Sequence, residues 1–162
     1  MRRTDRAVTD EAEIVDILRR CEVLHLAINT GAAPYLLPVS FGMEPDGMTF
    51  YIHGSLSGRK YDLLAQDNRV GFQLECTHGL VLEEENHSCS VNYESVMGWG
   101  TVREVTDLDG KLHALDRIMA QYHSEDFFYD PAVAERTRIL CLSIQERTGK
   151  RRAKILGGKK HA

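Results

Sequence analysis

Six stretches in which apolar and polar residues alternate constrain this chain more than any other feature of its sequence: residues 23–28, 35–42, 48–53, 69–76, 91–105 and 138–144. Most of them follow one another through turns. Glu44-Pro45-Asp46-Gly47 shows how, since proline presets φ and Asp-Gly accepts a tight hairpin. Short connections give antiparallel pairs, and a sheet of such pairs loses its exposed edges by closing on itself. The expected fold is therefore mainly β, a closed or nearly closed antiparallel barrel of six strands with helices outside it. Regular alternation of strands with crossover helices is missing, as are GxGxxG and GxxxxGK[ST], so a doubly wound nucleotide-binding sheet is not expected.

The helices are predicted over 9–21, 57–66 and 107–122, with a short one over 131–136. In the first, Ile14, Ile17, Leu18 and Cys21 fall on one face, and Asp10 with Glu13 has the form of a capping box. Pro38 cannot donate to a ladder, which places residues 35–42 at an edge or a bulge. In 48–53 a period of two puts Met48, Phe50 and Ile52 on one face and Thr49, Tyr51 and His53 on the other. Gly98 and Gly100 flank the single tryptophan, which predicts a kink or a backbone pressed against something flat.

The length, 162 residues, suits one domain, 1–162, with a basic tail from about residue 150 that should be solvated. A hydrophobic fraction of 43% and a charged fraction of 27% are those of a soluble globular protein, and no apolar run is long enough for a bilayer. The net charge of −4 argues against a nucleic-acid partner. Four scattered cysteines and a start unlike a signal peptide predict reduced thiols in the cytoplasm. Cys76-Thr77-His78 and His87-Ser88-Cys89 offer possible zinc ligands, but their one-residue gaps differ from the usual knuckle, and no metal is expected.

Residues 50–60 carry the clearest functional signal. An apolar strand, Phe50-Tyr51-Ile52-His53, runs into Gly54-Ser55-Leu56-Ser57-Gly58 and then into a helix that opens with Arg59-Lys60. Small residues let a backbone approach an anion, Ser55 and Ser57 can donate hydrogen bonds, Arg59 and Lys60 bring charge, and a helix start offers unpaired N–H groups. This is a phosphate site, or else only a strand-to-helix connection with cations facing water. His53 reads as a flavin or substrate contact, as a proton donor, or as a strand-end residue bonded to a carbonyl.

The chain resembles the FMN-binding split-barrel superfamily related to pyridoxamine 5'-phosphate oxidase, and within it the nitroimidazole-resistance (Nim-type) branch. The resemblance is carried by residues 6–14, Pro34-Tyr35 with Pro38-Val39-Ser40-Phe41-Gly42, and Tyr51 to Ser55 with Gly58-Arg59-Lys60. It continues through Asn68-Arg69-Val70, Tyr93 to Gly100 and Thr148-Gly149-Lys150. It implies a six-stranded split barrel, a homodimer, and FMN sites at the subunit interface. It further implies that Lys60, with Ser55, Ser57 and Arg59, holds the phosphate, and that His53, Gly54 and Gly58 belong to the same site. By the same resemblance, Val39 and Ser40 meet the flavin ring by their backbone, while Ser95, Val96, Met97, Gly98 and Trp99 close the pocket, from either subunit. The implied activity is reduction of a small electron-poor acceptor such as a nitroaromatic; the alternative is a non-catalytic flavin- or haem-binding module. The arginine that begins the corresponding strand in the oxidase itself and its C-terminal arginine and histidine pattern are missing here, so oxidation of pyridoxamine phosphate is not expected.

Overall fold

The structure, a computed structural model, describes residues 3–123 and 127–152, with the backbone alone at residue 77. It contains eight strands: β1 (Ala7–Val8), β2 (Leu24–Ile28), β3 (Tyr35–Val39), β4 (Gly42–Met43), β5 (Thr49–Gly54), β6 (Arg69–Glu83), β7 (Ser88–Val105) and β8 (Arg138–Arg152). The helices are α1 (Glu11–Arg20), α2 (Arg59–Gln66), α3 (Leu108–Tyr122) and α4 (Pro131–Glu135). The six expected strands are present; β1 and β4, of two residues each, bring the number to eight.

All eight strands form one antiparallel sheet in the order β3-β2-β6-β7-β8-β5-β4, with β1 added to β8. β3 and β4 stand at opposite ends of this order, yet only Ser40 and Phe41 separate them in the chain. Val39 and Gly42 are thus at most roughly 11 Å apart. The sheet must curl until its two edges nearly meet, and this makes a split barrel. The edges converge at Phe41. Above it β3 is open along its whole outer side, and β4 covers only Phe50 and Tyr51 of β5.

The barrel is filled by the alternating residues of these strands, among them Leu24, Leu26, Phe50, Ile52, Phe72, Leu74, Val96 and Leu142, and by Phe41 between β3 and β4, with Ile17 and Leu18 of α1 and Leu64 of α2 packed on them. A second cluster lies outside, where Ala114, Leu115 and Ile118 of α3 and Ala134 of α4 cover Tyr51, Val105, Ile139 and Cys141. This cover changes one expectation from the sequence. Tyr51 does point away from Phe50, but it is buried under α3, where its hydroxyl donates to Glu44 over 2.8 Å. Met48 differs as well: it lies in the turn before β5 and is exposed rather than inward.

Asp10 caps α1, its carboxylate accepting from the N–H groups of Ala12 and Glu13 at 2.8 and 3.1 Å. Glu13 completes no reciprocal box; it pairs with Arg151 at 2.8 Å. Asp10→Ala should therefore cost about 1 kcal/mol, read as a fall of roughly 2–4 °C in thermal midpoint.

The first residues of the expected basic tail lie in the sheet instead. Lys150, Arg151 and Arg152 belong to β8, paired with Ser95, Glu94 and Tyr93 of β7. Glu94, only 7% exposed, receives Arg20 and Arg151 at 2.5 Å each and so ties α1, β7 and β8 together. The remaining basic residues of that tail, within 153–162, lie outside the described residues. No helix among the described residues is long and apolar enough to cross a membrane.

Candidate functional site

β5 ends at Gly54, and the turn 55–58 rises from it at the open end of the split. Ser55 donates its hydroxyl to the Ser57 carbonyl at 2.8 Å, closing the turn on itself. Its proton therefore serves the turn, whereas the sequence assigned it to a phosphate. Gly58 has φ of 149°, a conformation that side chains disfavour, and it precedes α2 without a side-chain cap. The first N–H groups of α2 are left available to an acceptor.

Two cations follow. The Arg59 guanidinium lies 5.0 Å from the centre of the Tyr35 ring, at the start of β3, and Lys60 is half-buried. Neither forms an ion pair among the described residues. Burial alone pulls the Lys60 pKa below that of an ordinary lysine. Beside it the Tyr61 hydroxyl is buried without a hydrogen-bond partner, and burial raises its pKa. A Cβ added to Gly54 would come within 2.5 Å of the Tyr61 oxygen and 2.6 Å of Lys60 Nζ, so these three residues crowd one point. A half-buried cation and an orphaned hydroxyl at a glycine turn fit an anion with several acceptor oxygens.

Sequence reasoning missed Tyr61 and Arg138 here. Arg138 sits with its guanidinium 4.0 Å from the Tyr61 ring centre, binds Glu104 through two hydrogen bonds of 2.8 and 2.7 Å, and donates to the Leu56 carbonyl at 3.3 Å. It holds the turn in place. Tyr61 could have been found, since it is the first inward residue after Lys60. Arg138 could not, because only the pairing of Gly54 with Arg138 between β5 and β8 brings it there.

The open edge of β3 leads away from Arg59 toward Val39 and Ser40. Val39 packs partly on the barrel core and Ser40 is exposed, so the backbone between them is accessible. His53 is exposed one residue before Gly54, on the outer face of β5 that it shares with Tyr51. The contact of Arg59 with Tyr35 therefore joins the turn to the β3 edge, and His53 adjoins the turn in the chain.

Residues 95–99 do not join them within one chain. β2 and β6 intervene between β3 and β7, a separation of three strand spacings or roughly 14 Å. Val96 points into the barrel and is fully buried, so only its backbone could meet a ligand. Met97 and Trp99 instead project from the outer face, 48% and 43% exposed. Register explains what lies beside them. Across the sheet run the rows His25-Gln73-Met97-Thr148 and Ala27-Gly71-Trp99-Glu146, the second continued by Leu36 on β3. The small residues Ala27 and Gly71 form a floor between larger neighbours, giving a mostly apolar groove of about 580 Å³.

The candidate zinc ligands are not assembled. Cys76 faces α1, whereas Cys89 is exposed toward the far end of the β6–β7 hairpin. Among the described residues no group of three His, Cys, Asp or Glu side chains is placed to hold a metal ion.

Residues 10–151 match the family described as pyridoxamine 5'-phosphate oxidase. The chain belongs to that family. Its fold is close to a candidate 5-nitroimidazole antibiotic resistance protein from Bacteroides thetaiotaomicron, with 29% identity over 89% of this chain and 85% of that one and a TM-score of 0.80. A flavocytochrome from Azotobacter vinelandii shares the fold at 23% identity, covering 95% of this chain and 72% of the other, with a TM-score of 0.79. An FAD and haem binding protein from Mycobacterium smegmatis does so at 21% identity, 90% and 73% coverage, and a TM-score of 0.77. No curated protein is similar enough to be matched. Membership of the pyridoxamine 5'-phosphate oxidase family accounts for the split barrel; the reaction has to be argued from the site.

Proposed function

We propose that this protein is an FMN-dependent oxidoreductase of the cytoplasm that reduces a small electron-poor acceptor, nitroaromatics being the class to try first. The observation that carries the reading is the pair of cations at the glycine turn, Arg59 and the half-buried Lys60, which have no carboxylate partner among the described residues and stand beside the orphaned Tyr61 hydroxyl. Lys60, Arg59, Ser57 and the N–H groups after Gly58 would hold the phosphate, with Gly54 leaving room for it. The backbone of Val39 and Ser40 would meet the ring along the open edge of β3. Reduced flavin supplies hydride when it is bound, while the protein supplies position, charge and a boundary against water. His53, exposed beside the turn, is placed to contact the acceptor and to give it a proton. The nitroimidazole-resistance likeness supports the acceptor class, since the 29% identical neighbour carries that description.

The site is complete only in a homodimer in this reading. Leu36 and Met97 wall an apolar groove on the outer face, Trp99 stands exposed on the same face beside it, and an exposed groove of this kind is a natural subunit contact. A second copy seated there would bring its own residues 95–99 toward the first copy's split. Trp99→Glu is expected to shift the protein from dimer to monomer in sedimentation and to weaken FMN binding with it. A dimer that persists, or a monomeric wild type, would remove this part of the reading.

Titration of the purified protein with FMN, followed by flavin absorbance and fluorescence, is expected to saturate at about one FMN per chain. If the wild-type chain binds none, the flavoprotein reading fails, and titration with haem becomes the test of a binding module. Given FMN binding, His53→Ala should keep the cofactor and lower turnover with NAD(P)H and a nitroaromatic acceptor by about a hundredfold. Unchanged turnover would take His53 out of the reaction.

A further inference from the structure

Two cysteines outside this site meet at the C-terminal end of α1. Cys76 lies where β6 loses register with β7: it pairs with Glu94, and pairing resumes only at Gly79 with Asn92, so the strand carries one extra residue after it. The Cys76 side chain is half-buried and within reach of solvent. Its sulfur accepts from Arg20 Nη1 at 3.5 Å and stands 3.8 Å from the Ile17 carbonyl oxygen, to which its thiol can donate. Cys21 follows Ile17 by four residues, ends α1, and is 1% exposed on the same side. It belongs to the core cluster against which the Cys76 side chain packs.

We propose that Cys21 and Cys76 are a redox-active thiol pair that hydrogen peroxide closes into a reversible disulfide. The two positions differ in the way such a pair requires. Partial exposure lets peroxide reach the Cys76 sulfur, and the Arg20 guanidinium 3.5 Å from it can donate to the peroxide oxygen that departs. Cys21 is closed off from solvent, and burial together with its neighbour holds it as a thiol, so peroxide does not attack it first. The other cysteines lack this arrangement: Cys141 is buried beneath α3, and Cys89 is exposed on the distant end of the hairpin.

The chemistry balances with peroxide as the only oxidant. The Cys76 thiolate attacks one peroxide oxygen, the O–O bond breaks, and the departing hydroxide takes up a proton, leaving a sulfenic acid and one water. Cys21 sulfur then attacks Cys76 sulfur, the S–O bond breaks, and the Cys21 proton leaves with the hydroxide as a second water. Two thiols have lost two hydrogens, and peroxide has become two waters. The bond pins the end of α1 to β6 beside Arg20 and Glu94, which already join α1 to β7.

The test needs no flavin, so it stands or falls apart from the proposed activity. Wild-type protein is treated with hydrogen peroxide, alkylated with N-ethylmaleimide in denaturant, and analysed by intact mass and peptide mapping. Two of the four cysteines should escape alkylation, a peptide linking Cys21 to Cys76 should appear, and dithiothreitol should reverse both. Cys21→Ser should stop at a Cys76 sulfenic acid that dimedone traps, and Arg20→Gln should slow loss of the Cys76 thiol severalfold. Four alkylatable cysteines after peroxide, or a link through Cys89 between two chains, would overturn the proposal. The wild-type map decides even if a variant misfolds, which circular dichroism would report.

Discussion

Replacing Lys60 by alanine is expected to weaken FMN binding about thirtyfold, and replacing it by glutamate to abolish binding at any usable concentration. A hydrogen bond to a charged group is worth about 2 kcal/mol, and 1.4 kcal/mol is a factor of ten in affinity. Glutamate adds a like charge facing the phosphate, a juxtaposition that costs several kcal/mol more. The lysine is already half desolvated without a counterion among the described residues, so in the ligand-free protein alanine relieves that burial and loses only the contact of the ammonium with the Tyr61 ring, 5.0 Å from its centre. The signature of a binding residue is thus a fall in affinity with an unchanged or slightly higher melting temperature. A structural lysine would show the reverse.

The pH dependence gives a second reading of the same residue. Burial holds the Lys60 pKa below its usual 10.5 in the folded, ligand-free protein. A phosphate dianion favours the charged form, so wild-type affinity should fall as pH rises through that lowered pKa, before an ordinary lysine would titrate. Folding stability without ligand moves the other way. In the same window the unfolded chain holds the proton longer, and stability therefore increases with pH. Lys60→Ala should lack the alkaline loss of affinity while keeping any loss below about pH 6, where the phosphate takes up its second proton. An identical alkaline limb in wild type and variant would place the phosphate elsewhere.

What the sequence made legible was local. The hairpin at residues 44–47, the cap at Asp10, the edge character of Pro38 and the inward faces of the long strands all follow from neighbours a few residues apart. Non-local pairing hid the rest. Lys150, Arg151 and Arg152 look like a solvated tail until β8 extends to place Arg151 on the buried Glu94, fifty-seven positions earlier in the chain. Tyr51 looks like a residue of an open polar face until α3 covers it. At the candidate site the turn and its cations were visible as a run, whereas Arg138, which braces them, comes from a strand that begins eighty-two positions after Leu56. Residues 95–99 were visible as one segment, but alternation divides them between the core and the outer face.

Gly98→Ala is expected to damage the fold severely. A Cβ at Gly98 would lie 2.0 Å from the Glu146 carbonyl oxygen and 2.9 Å from Arg147 Cα, both main-chain atoms. Neither can swing aside as a side chain could. The register explains the closeness: Trp99 pairs with Glu146 and Gly100 with Ile144, so β8 carries Gln145 as an extra residue and bulges against β7 at this point. Moving the carbonyl would break the ladder on both sides of the bulge. Overpacking of this kind costs about 3 kcal/mol, a fall of roughly 6–12 °C in thermal midpoint for a chain of this size. Gly79→Ala is the control on the same hairpin, where an added methyl meets nothing within 4 Å and stability should stay within about 0.5 kcal/mol. The comparison also separates the two meanings of the glycines around Trp99. If Gly98 serves the approach of β8, alanine lowers the melting temperature with or without FMN; if it serves the approach of a flat ligand, the ligand-free protein melts as wild type and only FMN binding suffers.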